Sequence, residues 1–98
     1  MIAEIQCLPQ PLGTPADRYA HVEAAIAVIT ASGLAYEVGA LGTTVEGPPE
    51  QVWPLLQAVH GATLAAGATA AVTVIKVAES ADGGEQPTIA GLTDKFRS

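Results

Sequence analysis

The sequence predicts an α+β sandwich, a four-stranded antiparallel sheet with two helices on one face and a short C-terminal helix. Three observations predict it. Apolar residues alternate with period two in short stretches and recur at helical spacing in longer ones. The stretches follow the order strand, helix, strand, strand, helix, strand. Two Gly-Thr segments, Pro11-Leu12-Gly13-Thr14 and Leu41-Gly42-Thr43-Thr44-Val45-Glu46-Gly47, punctuate that order. A length of 98 residues suits a single domain, residues 1–98.

Ile2 to Leu8 divides into Ala3/Ile5/Cys7 and Ile2/Glu4/Gln6/Leu8, one apolar and one mixed face, and Pro9 and Pro11 are expected to end its pairing. Thr14-Pro15-Ala16-Asp17 has the spacing of a helix start, with Thr14 as N-cap and Pro15 at the first helical position. Val22, Ile26 and Ile29 continue that helix, and Gly33 stops it. Leu34 to Gly39 and Leu41 to Glu46 read as a hairpin with a tight Gly39-Ala40 turn. A second helix is expected from Glu50 to Ala66, with Val52, Leu55, Leu56, Val59 and Leu64 on its buried stripe and Gly67 as its stop. Pro54 should disturb its first turn or delay its start. Ala70 to Ala78 is the last strand, and its apolar residues on both faces suggest an interior position. Ser80 to Pro87 reads as a loop, and Ile89 to Phe96 as a short helix with Leu92 and Phe96 packing down.

The order βαββαβ is that of the ferredoxin-like sandwich, a name for topology that implies no iron. Parity then assigns the faces. Ala3, Ile5, Cys7, Leu34, Tyr36, Val38, Leu41, Thr43, Val45, Ile75 and Val77 should point to the helices. The open face should carry Glu4, Gln6, Glu37, Thr44, Glu46, Val72, Val74 and Lys76.

Composition excludes several function classes. Ten acidic and four basic residues give a net charge of −6, and no Lys/Arg cluster is present for nucleic acid. There is no apolar run long enough for a membrane span and no signal-peptide pattern at the N-terminus, so a soluble cytoplasmic protein is expected. The single Cys7 forms no intrachain disulfide and holds neither an iron–sulfur cluster nor a structural zinc, so no cofactor is expected. With nineteen alanines and four aromatics, the core has few large side chains, which favours burying more surface by self-association.

In Pro11-Leu12-Gly13-Thr14, Ser32-Gly33-Leu34-Ala35-Tyr36-Glu37, Gly42-Thr43-Thr44-Val45-Glu46-Gly47, His60 and Thr93-Asp94-Lys95, the chain resembles the small thiamine-binding protein family, the MTH1187/YkoF-like group also called UPF0045 or DUF77. The pieces span nearly the whole chain in order. The resemblance implies a ferredoxin-like fold, a homodimer or homotetramer assembled through the sheets, and binding of thiamine or its hydroxymethylpyrimidine moiety rather than catalysis.

Candidate ligand-binding residues are Gln6, Thr14, Glu37, Thr43, Thr44 and Glu46. Glu4, Glu37 and Glu46 share the open face by parity, where three carboxylates repel unless a cation, a proton or a partner compensates. For any one of them a solvated surface balanced by Lys76 is the better reading, and the functional reading gains ground only when the three are taken together. Gln6 both donates and accepts, which suits an aminopyrimidine. Thr14 is explained as an N-cap, although the adjoining helix start would present free donors to an anion. Thr43 and Thr44 fit strand propensity, and Thr44 gains interest from its open-face neighbours. His60 reads as a packing residue, His21 as exposed, Cys7 as a core thiol, and Trp53 as a packing or interface residue.

These features favour a small-molecule binding protein, with thiamine or a related pyrimidine held at the open sheet face or a subunit-interface pocket, and no metal or catalytic set. A small oligomeric enzyme is the alternative, weakened by the lack of a nucleophile–base pair at productive spacing. A third is an interaction module, which a fully occluded, ligand-free face would favour.

Overall fold

The computed structural model describes residues 1–97. Strands β1 (Ile2–Gln10), β2 (Ala35–Val38), β3 (Thr43–Glu46) and β4 (Ala70–Ala78) form one antiparallel sheet in the order β2-β3-β1-β4. Helices α1 (Ala20–Thr30) and α2 (Pro49–Ala65) connect β1 to β2 and β3 to β4, and α3 (Ile89–Thr93) runs into a 3-10 turn, Asp94–Phe96. This is the ferredoxin-like arrangement, and its register matches the expected faces: Ile5 lies between Thr43 and Ile75, and Glu4 between Thr44 and Lys76. The core gathers Ala3, Ile5 and Val45 from the sheet, Ala25 and Ile29 from α1, and Val52, Leu55, Leu56 and Val59 from α2.

Several elements differ from the sequence expectation. β1 runs through Pro9, which pairs with Ala71, instead of ending at Leu8. Beyond Ile5, β1 has no β3 partner, so the missing Pro9 N–H costs nothing on that side. α1 begins at Ala20, and Thr14 is not its cap. Thr14 instead closes a turn on itself: its N–H donates to the Asp17 carbonyl at 2.8 Å, and its hydroxyl accepts from Asp17 N–H at 3.0 Å. Gly13 makes that turn possible, since a Cβ there would stand 2.3 Å from the Asp17 carbonyl oxygen. Of the first α1 donors, Ala20 N–H is satisfied by the Asp17 carbonyl, and His21 and Val22 N–H by the Leu12 carbonyl. His21 is 3% exposed rather than on the surface, with Nδ1 donating to the Pro11 carbonyl at 2.7 Å.

The hairpin is wider than a two-residue turn. Val38 pairs with Thr43, so Gly39–Gly42 form a four-residue loop closed by Gly39 N–H to the Gly42 carbonyl at 2.8 Å. α2 starts one residue early with Pro49 at N1 and continues through Pro54. Pro54 sits near enough to the N-terminus that it leaves only the Glu50 carbonyl without its helical donor. Thr63 takes the buried position expected of Leu64, because its hydroxyl donates to the His60 carbonyl at 2.7 Å and so enters the core satisfied.

β4 is an edge strand, not an interior one. Apolar residues on both its faces reflect exposure at a bare margin rather than burial. Leu92 and Phe96 do not pack down either, and Phe96 is 78% exposed. The segment is held by polar contacts instead: Ile89 N–H donates to Glu46 Oε1 at 3.3 Å, Thr88 Oγ1 accepts from Gly91 N–H, and Arg97 pairs with Glu37.

Candidate functional site

The sandwich is hollow under α1. At the C-terminal half of β1 a cavity of about 260 Å³ opens between that helix, the sheet and the Gly39–Gly42 loop. Three local events make it. The Thr14–Asp17 turn delays α1, so its first turn presents Tyr19 and Val22 over the gap. β3 begins only at Thr43, opposite Ile5, which leaves β1 beyond Ile5 without a neighbour on that side. The wide hairpin loop then reaches across with Leu41, 82% exposed, at the rim.

Ile26 and Ile29 of α1 and Ile5 of β1 give the walls an apolar character, and the polar groups are few. Thr43 is buried on the helix side of β3, Cys7 lies half-buried on β1, and Tyr19 stands at the mouth. An apolar hollow with a small number of placed polar groups is the usual form of a small-ligand site. Its volume falls just below the lower end, about 300 Å³, for drug-sized ligands, which suits one aromatic ring.

A hydrogen-bonded line runs from the cavity through the sandwich. Thr73 Oγ1 donates to Cys7 Sγ at 3.7 Å, and the same oxygen lies 2.5 Å from His60 Nδ1. Since the single Thr73 proton points to sulfur, His60 donates from Nδ1–H. Burial pushes the Cys7 thiol above its ordinary pKa, with the Thr73 hydrogen bond opposing it. At neutral pH the group is therefore a thiol. Near the cavity mouth in sequence, Asp17 raises the Glu23 pKa by a hydrogen bond and then by charge repulsion, with a further contribution from desolvation.

The six residues expected to bind ligand are divided between locations. Thr43 and Gln6 line the cavity, although the register directs the Gln6 side chain to the open face beside Val74. Thr44 lies on the open face between Glu4 and Glu37. Glu37 pairs with Arg97, Glu46 accepts from Ile89 N–H, and Glu4 stands 3.8 Å from Lys76. Each of these carboxylates thus has compensation within the chain. Thr14 lies in its turn, apart from both the cavity lining and the Glu4-Thr44-Glu37 row.

Sequence reasoning missed the cavity residues Cys7, Leu12, Tyr19, Val22 and Ile26 as site residues. Their signal was present as an apolar surplus on α1, where Tyr19, Val22 and Ile26 recur three and four residues apart. That pattern is indistinguishable in sequence from a helix packing into a filled core. Among the described residues no group of three or more His, Cys, Asp or Glu is placed to hold a metal ion, and no helix is long and apolar enough to cross a membrane.

A family model described as thiamine-binding protein matches residues 3–96. No curated protein sequence matches the chain. Among solved structures, a DUF77 domain from Bacillus cereus is 31% identical, with 98% of this chain and 88% of that one covered and a TM-score of 0.83. A hypothetical protein from Methanocaldococcus jannascii is 26% identical over 97% of this chain and 93% of its own, at a TM-score of 0.78. A Thermotoga maritima protein, described as a candidate in thiamine biosynthesis or salvage, shares the fold at a TM-score of 0.79 and 24% identity, covering 98% and 97%. The chain belongs to the thiamine-binding protein family.

Proposed function

We propose that this member of the thiamine-binding protein family holds thiamine or its hydroxymethylpyrimidine moiety in the cavity under α1 and releases it unchanged. The observation that carries this reading is the cavity itself, apolar, of one-ring size, with the Thr43 hydroxyl and Cys7 thiol among its few polar groups. The pyrimidine ring enters between α1 and β1, exchanging water for apolar contact, and one of its nitrogens meets the Thr43 hydroxyl. The cationic thiazolium stays toward the mouth, where relief of the repulsion between Asp17 and Glu23 favours a positive charge.

No bond is made or broken in this reading. The chain's one thiol is kept protonated by burial, which opposes its use as a nucleophile. The protein acts as a homodimer or homotetramer in the cytoplasm, with thiamine or a related pyrimidine as its small-molecule partner.

A second reading keeps the ligand on the open sheet face, favoured by the row Glu4-Thr44-Glu37 across three adjacent strands. Neighbouring threonines on opposite faces separate the two. Isothermal titration with thiamine and with hydroxymethylpyrimidine should show Thr43→Val weakening binding about threefold to tenfold, the worth of one neutral hydrogen bond. Thr44→Val should leave it unchanged. The reverse pattern assigns the ligand to the open face, and loss of thiamine with formation of new products on chromatography makes the protein an enzyme.

A further inference from the structure

His60 of α2 and Thr73 of β4 lie outside the hollow, yet they reach it through Cys7. The direction of that line follows from counting protons. The Thr73 hydroxyl has one, directed to Cys7 Sγ at 3.7 Å, so the same oxygen accepts from His60 Nδ1 at 2.5 Å. His60 is thereby held in the tautomer with Nδ1–H and a bare Nε2. No carboxylate borders the groove between α2 and β4 to draw the ring proton to Nε2 instead; around His60 stand Trp53, Gln57 and Ile75.

At the other end, the sulfur accepts from Thr73 and keeps its own proton for a different partner. Cys7 has the parity of Ile5, so both side chains leave β1 on the helix side. Ile5 is buried, whereas Cys7 is half-buried on the stretch of β1 that lines the hollow. Among the described residues the thiol has no hydrogen bond besides the one it accepts. Were the line reversed, with Nε2 protonated and Thr73 donating to Nδ1, the S–H would point to Thr73 and the hollow would meet only sulfur lone pairs.

We propose that Thr73 and His60 are positioning residues that make Cys7 a hydrogen-bond donor facing the hollow, so that the hollow selects rings bearing an acceptor nitrogen over benzene-like rings of the same shape. This rests on the reading that the hollow is the ligand site, and it adds a selectivity that volume cannot supply. A ring nitrogen that enters an apolar cavity gives up its water, and the loss is uncompensated unless a donor waits there. Thr43 alone does not discriminate, because its hydroxyl rotates to donate or accept. The Cys7 thiol does, since the line fixes which way it points. A thiol is a weak donor, which sets the selectivity at about twofold to fivefold, the lower part of the range for a neutral hydrogen bond.

Infrared spectroscopy and calorimetry on the full chain test the proposal. The chain has one cysteine, so its S–H stretch belongs to Cys7 alone. Hydroxymethylpyrimidine should move that band to lower frequency, while the benzyl alcohol of the same substitution pattern, with C–H in place of both ring nitrogens, should leave it unmoved. By titration, Cys7→Ala should weaken the pyrimidine about twofold to fivefold and leave the benzyl analogue unchanged, with Cys7→Ser, which retains a donor, close to the parent. His60→Leu lets Thr73 accept from the thiol and should weaken the pyrimidine by up to the same factor. His60→Asn, whose amide donates in place of Nδ1–H, should restore it.

The nitrogen-free ring separates positioning from shape, because a distorted cavity weakens both ligands and a lost donor only one. An unmoved S–H band at saturating pyrimidine, or variants that weaken both ligands alike, overturns the positioning role; whether the ligand still lies in the hollow is then read from Thr43→Val. Nitrogen NMR that finds His60 protonated at Nε2 and bare at Nδ1 overturns it too. If neither the pyrimidine nor thiamine binds the parent protein, the ligand assignment itself falls, and the positioning role falls with it.

Discussion

The two long helices cover the same face of the sheet, yet they make different interiors. α2 sends Val52, Leu55, Leu56, Val59 and Thr63 into the core, with Val59 also reaching the edge of the hollow and Leu56 bordering a surface groove beside β4. α1 buries only His21, Ala25 and Ile29, and the remainder of its inward side, Tyr19, Val22 and Ile26, faces a hollow. One half of the sandwich therefore carries most of the stability while the other holds an empty space a ligand can fill. The lesson is one of separation, since a chain with few large side chains cannot fill both halves and concentrates its packing in one.

Truncation on the packed side should have the largest effect. Leu56→Ala removes a side chain that is only 2% exposed and should cost about 2–5 kcal/mol. For a domain of this size that lowers Tm by about 10 °C or more in thermal unfolding followed by circular dichroism. Thiamine affinity measured well below the new Tm should stay within about threefold of the parent, because Leu56 does not line the cavity. A mild stability change combined with lost binding would erase the division between the halves.

On the hollow side, enlargement should be tolerated where elsewhere it would overpack. Ile26→Phe adds volume toward existing space, so Tm should move by only a few degrees, against the usual cost of about 1–3 kcal/mol for inserting atoms into a filled core. Thiamine binding should fall at least about tenfold by titration, since the ring position is then occupied. A destabilised Ile26→Phe would mean that the hollow is already closed in solution.

How much of this was legible in the sequence follows the same division. The α2 side was readable because its stripe, Val52, Leu55, Leu56 and Val59, is both apolar and buried, so pattern and outcome coincide. The faces of the strands were readable because a period of two leaves no freedom once one residue is placed. The hollow was not, because its walls carry the same helical pattern as a core and its cause lies in backbone events. The Thr14–Asp17 turn imitates a helix start in sequence, with Thr, Pro and Asp at the right spacing, and only the packing of Gly13 against the Asp17 carbonyl reveals it as a separate turn. Strand order was equally hidden, because apolar residues on both faces describe an interior strand and an unpartnered edge alike.

Cys7 connects the halves: it lines the hollow, and its sulfur is held by Thr73, which in turn receives His60 from α2. Burial raises its folded pKa, so the unfolded thiol ionises first as pH climbs past about 8.5. Above that point the unfolded chain binds fewer protons than the folded one, and stability should fall with rising pH. Denaturant melts across this range should show a slope that Cys7→Ser removes. Alkylation by iodoacetamide should also slow when thiamine fills the hollow, and an unchanged rate would place the ligand elsewhere.

The smallest expected effect lies at the surface near the mouth. The Glu23 pKa is raised first by its hydrogen bond with Asp17 and then by their repulsion. A carboxyl that holds its proton more tightly folded than unfolded favours the folded state at low pH and loses that contribution as pH rises above about 4.3, the ordinary glutamate value. Glu23→Gln should therefore raise Tm slightly at pH 7 and leave it unchanged at pH 3, with the gain shrinking in high salt because the pair is fully exposed. The same substitution should weaken thiamine slightly at low ionic strength while leaving the uncharged hydroxymethylpyrimidine unaffected. That asymmetry is the point of the measurement. If both ligands lose affinity equally, Glu23 shapes the cavity instead of attracting the cation, and the charged part of the ligand must be oriented away from the α1 start.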